Sequence, residues 1–157
     1  MKATTRRLIG SWLGGAVIGT AIIAATSPLF VRSYLPLQVD PVRRVWTLPS
    51  QSVYRWRSEG YADTQIGPLG MPGKTTLEED DKESIRVALW GDSQAEGVCV
   101  SDRDKIFSQA EQRSDSRLQV FPLAMSGEDA ANWLTQIPAV ESDLAIDLHV
   151  LFVVDLE

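Results

Sequence analysis

The stretch Ile85-Arg86-Val87-Ala88-Leu89-Trp90-Gly91-Asp92-Ser93 decides how the chain folds. Residues 85–90 are apolar apart from Arg86 and have the length of a buried strand, and Gly91-Asp92 then ends the run with turn residues. Beyond it the texture alternates. Ser101 is the expected N-cap of a helix over residues 102–113, with Ile106, Phe107 and Ala110 on one face and Asp102 and Asp104 in its first turn. Residues 118–123 read as a second strand. Ser126, Glu128 and Asp129 open a second helix that runs through Leu134 and that Pro138 closes, with a separate helical turn at 139–145. Residues 149–154 form a third strand, apolar after His149, as suits a strand covered on both faces. Strand–helix–strand–helix–strand predicts an α/β unit: a parallel sheet in the order 2-1-3, joined by right-handed crossovers, with helices on its faces.

That topology gives Ser93 a functional address. Ligands of open parallel sheets bind beyond the carboxyl ends of the strands, and Ser93 follows the central strand directly. Gly91 permits a tight turn there. A serine opening the next turn can present its own amide to an oxyanion while its hydroxyl attacks. Asp92 is adjacent in sequence, so it cannot orient a histidine toward Ser93; it is read as pinning the turn. A serine in this position could also simply cap a helix, so the wider pattern has to carry the assignment.

Upstream, residues 1–7 carry Lys2, Arg6 and Arg7 and no acid, and residues 8–31 follow without a charge. At about 1.5 Å per residue that run makes roughly 36 Å of helix, enough for a hydrocarbon core of about 30 Å. A signal peptide shares the basic start. Its apolar core is usually only about 7–15 residues long, however, and a cut near Ala24-Ala25-Thr26-Ser27 would leave Pro28 beside the scissile bond. The expectation is an uncleaved single-pass anchor in a lipid bilayer, basic end inside and the C-terminal part extracytoplasmic. Arg32, Arg43 and Arg44 on the far side keep that asymmetry slight. Gly10, Gly14, Gly15 and Gly19 have the spacing that lets two such helices approach, so self-association could run through them or through the edge of the third strand.

Residues 32–83 read as a juxtamembrane connector. Pro36, Pro41, Pro49, Pro68 and Pro72 exclude a long helix. Trp46, Tyr54, Trp56 and Tyr61 interleave with Arg43, Arg44, Arg55 and Arg57, a composition that suits the headgroup level or packing along the α/β unit. Glu78-Glu79-Asp80-Asp81 is read as a solvated loop before the unit that spans 84–157. Gly67-Pro-Leu-Gly70-Met-Pro-Gly73-Lys74-Thr75 falls short of a phosphate-binding loop, because Pro68 stands where its first glycine belongs and no apolar strand precedes it.

Charge and rare residues narrow the function. Residues 1–83 hold ten Lys/Arg against eight Asp/Glu, and residues 84–157 hold five against thirteen. An acidic α/β unit lacks the basic footprint of a nucleic-acid binder. One cysteine, Cys99, allows no intrachain disulfide, and with one histidine it makes no zinc-type metal site; no cofactor is implied. Cys99 lies between Val98 and Val100 and reads as a packed thiol. His149 begins the third strand, which places it at the sheet edge opposite Ser93. Asp147-x-His149 also lacks the Asp-x-x-His spacing, so a structural role is expected. Trp133 and Leu134 read as core, and Glu96 as either cavity-lining or solvated.

Gly91-Asp92-Ser93, with Gly97, Val98, Asp104 and Phe107 downstream, resembles the first conserved block of membrane-anchored SGNH (GDSL-type) ester hydrolases. Leu123-Ala124-Met125-Ser126-Gly127 is similar to their second block. The resemblance covers residues 84–157 and implies a partial flavodoxin-like, three-layer α/β/α half-domain. It implies Ser93 as nucleophile, the Gly127 amide as second oxyanion donor, and Gly91, Asp92 and Asp155 in support. It implies ester hydrolysis or acyl transfer on an acyl-ester substrate. The sequence departs from the pattern at Val154, where the third block has an asparagine, and no Asp-x-x-His element follows. The expectation is therefore a truncated unit without turnover, against the alternative of a non-catalytic anchored remnant or interaction module. A nucleotide or flavin site on the same half-sheet is disfavoured, because no glycine-rich turn follows Trp90.

Overall fold

The computed structural model describes residues 2–77 and 84–153. It is a mixed α/β structure with one long apolar helix at its amino end. Helix α1 (Lys2–Phe30) is long and apolar enough over Arg7–Phe30 to cross a membrane, and none of that window is buried against the rest of the described chain. Pro28 lies inside it and leaves the Ala24 carbonyl without its helical donor. The Ser27 hydroxyl donates to that carbonyl at 3.2 Å, and the Thr26 hydroxyl bonds the carbonyl of Ile22 at 2.8 Å. Such hydroxyls let a proline sit in an apolar helix without an orphaned backbone group.

Two short antiparallel hairpins follow: β1 (Gln38–Val39) with β2 (Trp46–Thr47), then β3 (Val53–Arg55) with β4 (Asp63–Gln65). They are fastened to the helix end. Arg57 donates to the Pro28 carbonyl at 3.0 Å, and the Ser33 amide to the Arg55 carbonyl at 2.9 Å. Residues 33–77 are also built into the core, since Leu69 and Met71 pack with Ala88, Trp90 and Phe121. The acidic run 78–81 lies outside the described residues.

The parallel sheet consists of β5 (Ile85–Gly91), β6 (Leu118–Pro122) and β7 (Leu148–Phe152) in the order β6-β5-β7, the expected 2-1-3. Alternate residues of β5 feed two cores. Val87 and Leu89 pack against Phe107 of α3 (Ile106–Arg113), whereas Ala88 and Trp90 pack against Trp133, Val140 and Leu144 of α4 (Ala130–Leu144). The helices therefore lie on opposite faces of the sheet.

Several local expectations need correction. Ser101 makes no side-chain cap; Asp102–Asp104 is a 3-10 turn, and Lys105 stands at the N-cap of α3. An extended Lys105 separates the two, and its amine turns inward to the Gly97 carbonyl. Pro138 does not close its helix, because α4 runs through it to Leu144. Pro138 faces solvent, and so does Leu134, 66% exposed, which corrects its expected place in the core. The start of α4 is firm instead: Asp129 accepts from the amides of Ala131 and Asn132, and the Asn132 side chain returns a bond to the Asp129 amide. Strand β7 starts at Leu148 opposite Val87, so His149 pairs with Ala88 in mid-sheet rather than standing at the far edge. Nor is β7 covered on both faces: Leu148, Val150 and Leu151 are exposed among the described residues.

Candidate functional site

The site grows from the end of β5. Gly91 is the strand's last residue and pairs with Phe152. Its value is room rather than backbone freedom: a Cβ there would come 2.5 Å from the Ala95 Cβ and 3.2 Å from the Phe152 carbonyl oxygen. Asp92 then caps the short helix α2 (Ser93–Glu96), accepting from the Gln94 amide at 2.9 Å, so it pins the turn. Ser93 is left exposed at the carboxyl edge of the central strand, and its hydroxyl makes no hydrogen bond among the described residues. Gly91→Ala is expected to lower stability by about 1–3 kcal/mol, as overpacking does, and to displace α2. Denaturation with urea checks the first effect, and hydrogen exchange of the residue 93–97 amides checks the second.

The neighbouring wall is the loop after β6. The Met125 amide donates to the Gly91 carbonyl at 3.1 Å, which brings this loop against the Ser93 turn. Gly127 follows with a positive φ of 85° and nothing within 4 Å of a Cβ position, so here the backbone conformation, not space, favours glycine. Gly127 is exposed; Met125 and Ser126 of the same loop line the cavity beside Ser93. Asp155 and Val154 lie outside the described residues.

Glu96 settles as a cavity-lining residue. It is buried and accepts hydrogen bonds from both the amide of Ser126, at 2.8 Å, and its hydroxyl, so it ties α2 to the β6–α4 loop. Burial pushes its carboxyl above the ordinary glutamate range, against the Ser126 bonds and the positive charges of Lys105 and Arg43. A pKa raised by folding contributes stability that is fully present below the unfolded value and is lost as pH rises through the raised one. Glu96→Gln keeps an acceptor for Ser126 and removes the titration. Wild-type stability relative to this variant is therefore expected to fall as pH rises above the ordinary glutamate range. Urea midpoints of both proteins over that rise in pH test it, and a constant difference would exclude Glu96 as the titrating group.

His149 is half-buried beside Trp90. Its Nδ1 accepts from the Trp90 indole N–H at 3.1 Å, and the two rings stack with centroids 6.2 Å apart. Its Nε2, which carries the proton when Nδ1 accepts, is buried without a hydrogen-bond partner among the described residues. The imidazole is three residues behind Phe152, about 10 Å along the strand from the edge that Ser93 occupies. Cys99 is a half-buried thiol on the cavity wall. Among the described residues no group of three or more His, Cys, Asp or Glu is arranged to hold a metal.

The cavity itself escaped the sequence reading. It measures about 970 Å3, and the residues after α1 build its second wall: Leu37, Trp46, Leu48, Tyr54 and Trp56 face Ser93, Glu96 and Met125. The interleaved aromatic residues of 46–56 were its one signal in the sequence. Compared with known proteins, the chain matches no family model, no curated protein and no solved structure.

Proposed function

We propose that this chain carries the nucleophile side of an SGNH-type ester-hydrolase or acyl-transferase site and is tethered to a membrane by α1, with the site on the extracytoplasmic side. The attacking group is the Ser93 hydroxyl, and the amides of Ser93 and Gly127 are the oxyanion donors. One observation carries the reading: an exposed serine hydroxyl, without a hydrogen bond among the described residues, at the carboxyl edge of the central strand and opening on a cavity of about 970 Å3. The 2-1-3 parallel sheet with a helix on each face supports it, because a flavodoxin-like SGNH unit begins in that way.

Serine needs a base to take its proton. The chain has one histidine, and Trp90 occupies it. Loss of the histidine from a serine triad lowers turnover by about 10⁶ in the protease case. These residues alone are therefore expected to hydrolyse p-nitrophenyl acetate at background rate. Added imidazole should supply the base and raise hydrolysis above the imidazole blank in wild type but not in Ser93→Ala. The engagement of His149 also favours a second reading, an anchored module that binds an acyl compound without turning it over. Imidazole rescue that is absent, or identical in Ser93→Ala, would select that reading. The tether has its own check: the chain is expected to stay with membranes through alkaline carbonate extraction, and recovery of a soluble product starting near residue 27 would refute it.

A further inference from the structure

The wall facing Ser93 has more apolar surface than an ester carbonyl needs. Ser93, Glu96 and Ser126 supply polar groups from the sheet side, whereas Leu37, Trp46, Leu48 and Trp56 come from the segment after α1. That segment is bonded to the end of the helix through Arg57 and Pro28 and through Ser33 and Arg55, so the cavity is held where α1 ends. Arg32, two residues beyond Phe30, also lines it, with its guanidinium 5.6 Å from the Trp56 ring centroid. If α1 spans a bilayer, Arg32 and these aromatic rings lie at headgroup depth, where such side chains concentrate.

The outside of the same segment is apolar as well. Tyr34 is 94% exposed and Trp46 60%, with Val31, Leu37 and Val39 also open. Leu37 and Trp46 belong both to this exposed surface and to the cavity wall, so apolar surface leads from the helix into the cavity. An acetyl group would leave most of a 970 Å3 space unfilled. Cavities of this size enclose ligands with several times that bulk.

We propose that the cavity takes the long acyl chain of a bilayer lipid, entered from the membrane beside Arg32, with the chain's carboxyl end toward Ser93. The orientation rests on the reading of Ser93 as nucleophile; occupancy of the cavity does not. A soluble oligosaccharide would also stack on Trp46 and Trp56 and reach the polar groups near Ser93, but it would leave the aliphatic walls at Leu37, Leu48, Val98 and Val100 against hydroxyls they cannot bond.

The test uses the full chain in phosphatidylcholine vesicles containing phosphatidylcholine with a photoreactive diazirine near the end of one palmitoyl chain. After illumination, adducts are mapped by peptide mass spectrometry. Adducts at Leu37, Leu48, Val98 or Val100, in addition to those on α1, are expected. Val100→Lys should reduce them at least fivefold while leaving α1 labelling unchanged. Free diazirine fatty acids should label the cavity more strongly with length, roughly up to fourfold in affinity per added methylene. Because the wild-type adduct positions are themselves decisive, failure of Val100→Lys to fold would not blunt the test. Adducts confined to α1, or no dependence on chain length, overturn the proposal. So does a cavity tryptophan signal that responds to a soluble oligosaccharide and not to acyl chains. Occupancy is read from the adduct positions alone, so loss of the catalytic reading in the imidazole assay would leave this result standing.

Discussion

Replacing Arg43 by Met is expected to destabilise the fold by about 3–5 kcal/mol, the effect of stranding the partners of a buried charge. The Arg43 guanidinium donates to Gln136 Oε1 at 2.7 Å, to the Leu69 carbonyl at 3.1 Å and to the Leu123 carbonyl at 2.7 Å, and it reaches Glu128 Oε2 at 3.5 Å. It is buried, and so is Glu128, whose carboxyl burial pushes up while Arg43 draws it down. A hairpin sets this reach: the Asp40 carboxylate accepts from the amides of Val42 and Arg43 and fixes the turn between β1 and β2. One side chain thus joins the segment after the helix to β6 and α4. Met would fill the space of the stem and leave two carbonyls and the Gln136 amide oxygen without their Arg43 donor, and the Glu128 carboxylate, still held by Gln136 Nε2 at 2.8 Å, without its countercharge. Arg43→Lys should fall between, because a single ammonium cannot meet four acceptors spread around a planar fork. Adding Glu128→Gln to Arg43→Met should restore part of the loss, since it removes the uncompensated charge. Arg44, exposed and adjacent, is the control, and Arg44→Ala should shift stability by less than about 0.5 kcal/mol. Urea unfolding in detergent, followed by fluorescence of the buried Trp90 and Trp133, measures all four; an Arg43→Met protein as stable as wild type would mean that residues 33–77 do not close the core.

Trp90→Ala is expected to lower stability by a similar amount, about 3–5 kcal/mol, by leaving a cavity in the centre of the sheet. Trp90 is fully buried among Leu69, Met71, Phe121 and Trp133, and its indole N–H is spent on His149. Trp90→Phe should cost less, since it keeps an aromatic ring and loses only the bond to His149. His149→Ala leaves the Trp90 N–H buried without an acceptor, a loss of about 1–3 kcal/mol. Any imidazole-rescued hydrolysis at Ser93 should stay within about twofold in the folded His149→Ala protein. A large fall in that rescued rate without loss of folding would put His149 in the chemistry and contradict its place beside Trp90. Chemical denaturation ranks the three variants, with Trp90→Ala expected to unfold first.

The two sites differ in how readily a sequence betrays them. Trp90 was legible because it ends an apolar run, and apolar runs of that length are buried wherever a sheet forms. Arg43 was not, because its charge and its neighbours Arg44, Trp46 and Arg55 match a headgroup-level segment equally well. The difference lies in partners 26 to 93 residues away in sequence, which local composition cannot report.

Local physics written in the sequence determined the long apolar helix, the strand at residues 85–90, the parallel 2-1-3 sheet and the placing of Ser93 after its central strand. Hydrophobic period, chain reach and the handedness of crossovers act over a few residues or a single connection, and each is readable from one string. Tertiary structure alone decided four things: that residues 33–77 complete the core, that Arg43 is buried, that His149 belongs to Trp90, and that Ser93 opens on a cavity with a wall from beside the long apolar helix. Each depends on which distant residues meet once the chain closes on itself. Burial and hydrogen-bond satisfaction are properties of that closure and not of any segment. Pro138 makes the same point on a small scale: a proline weakens a helix locally, yet α4 continues through it to Leu144, with Trp133, Gln136, Val140 and Leu144 buried on either side.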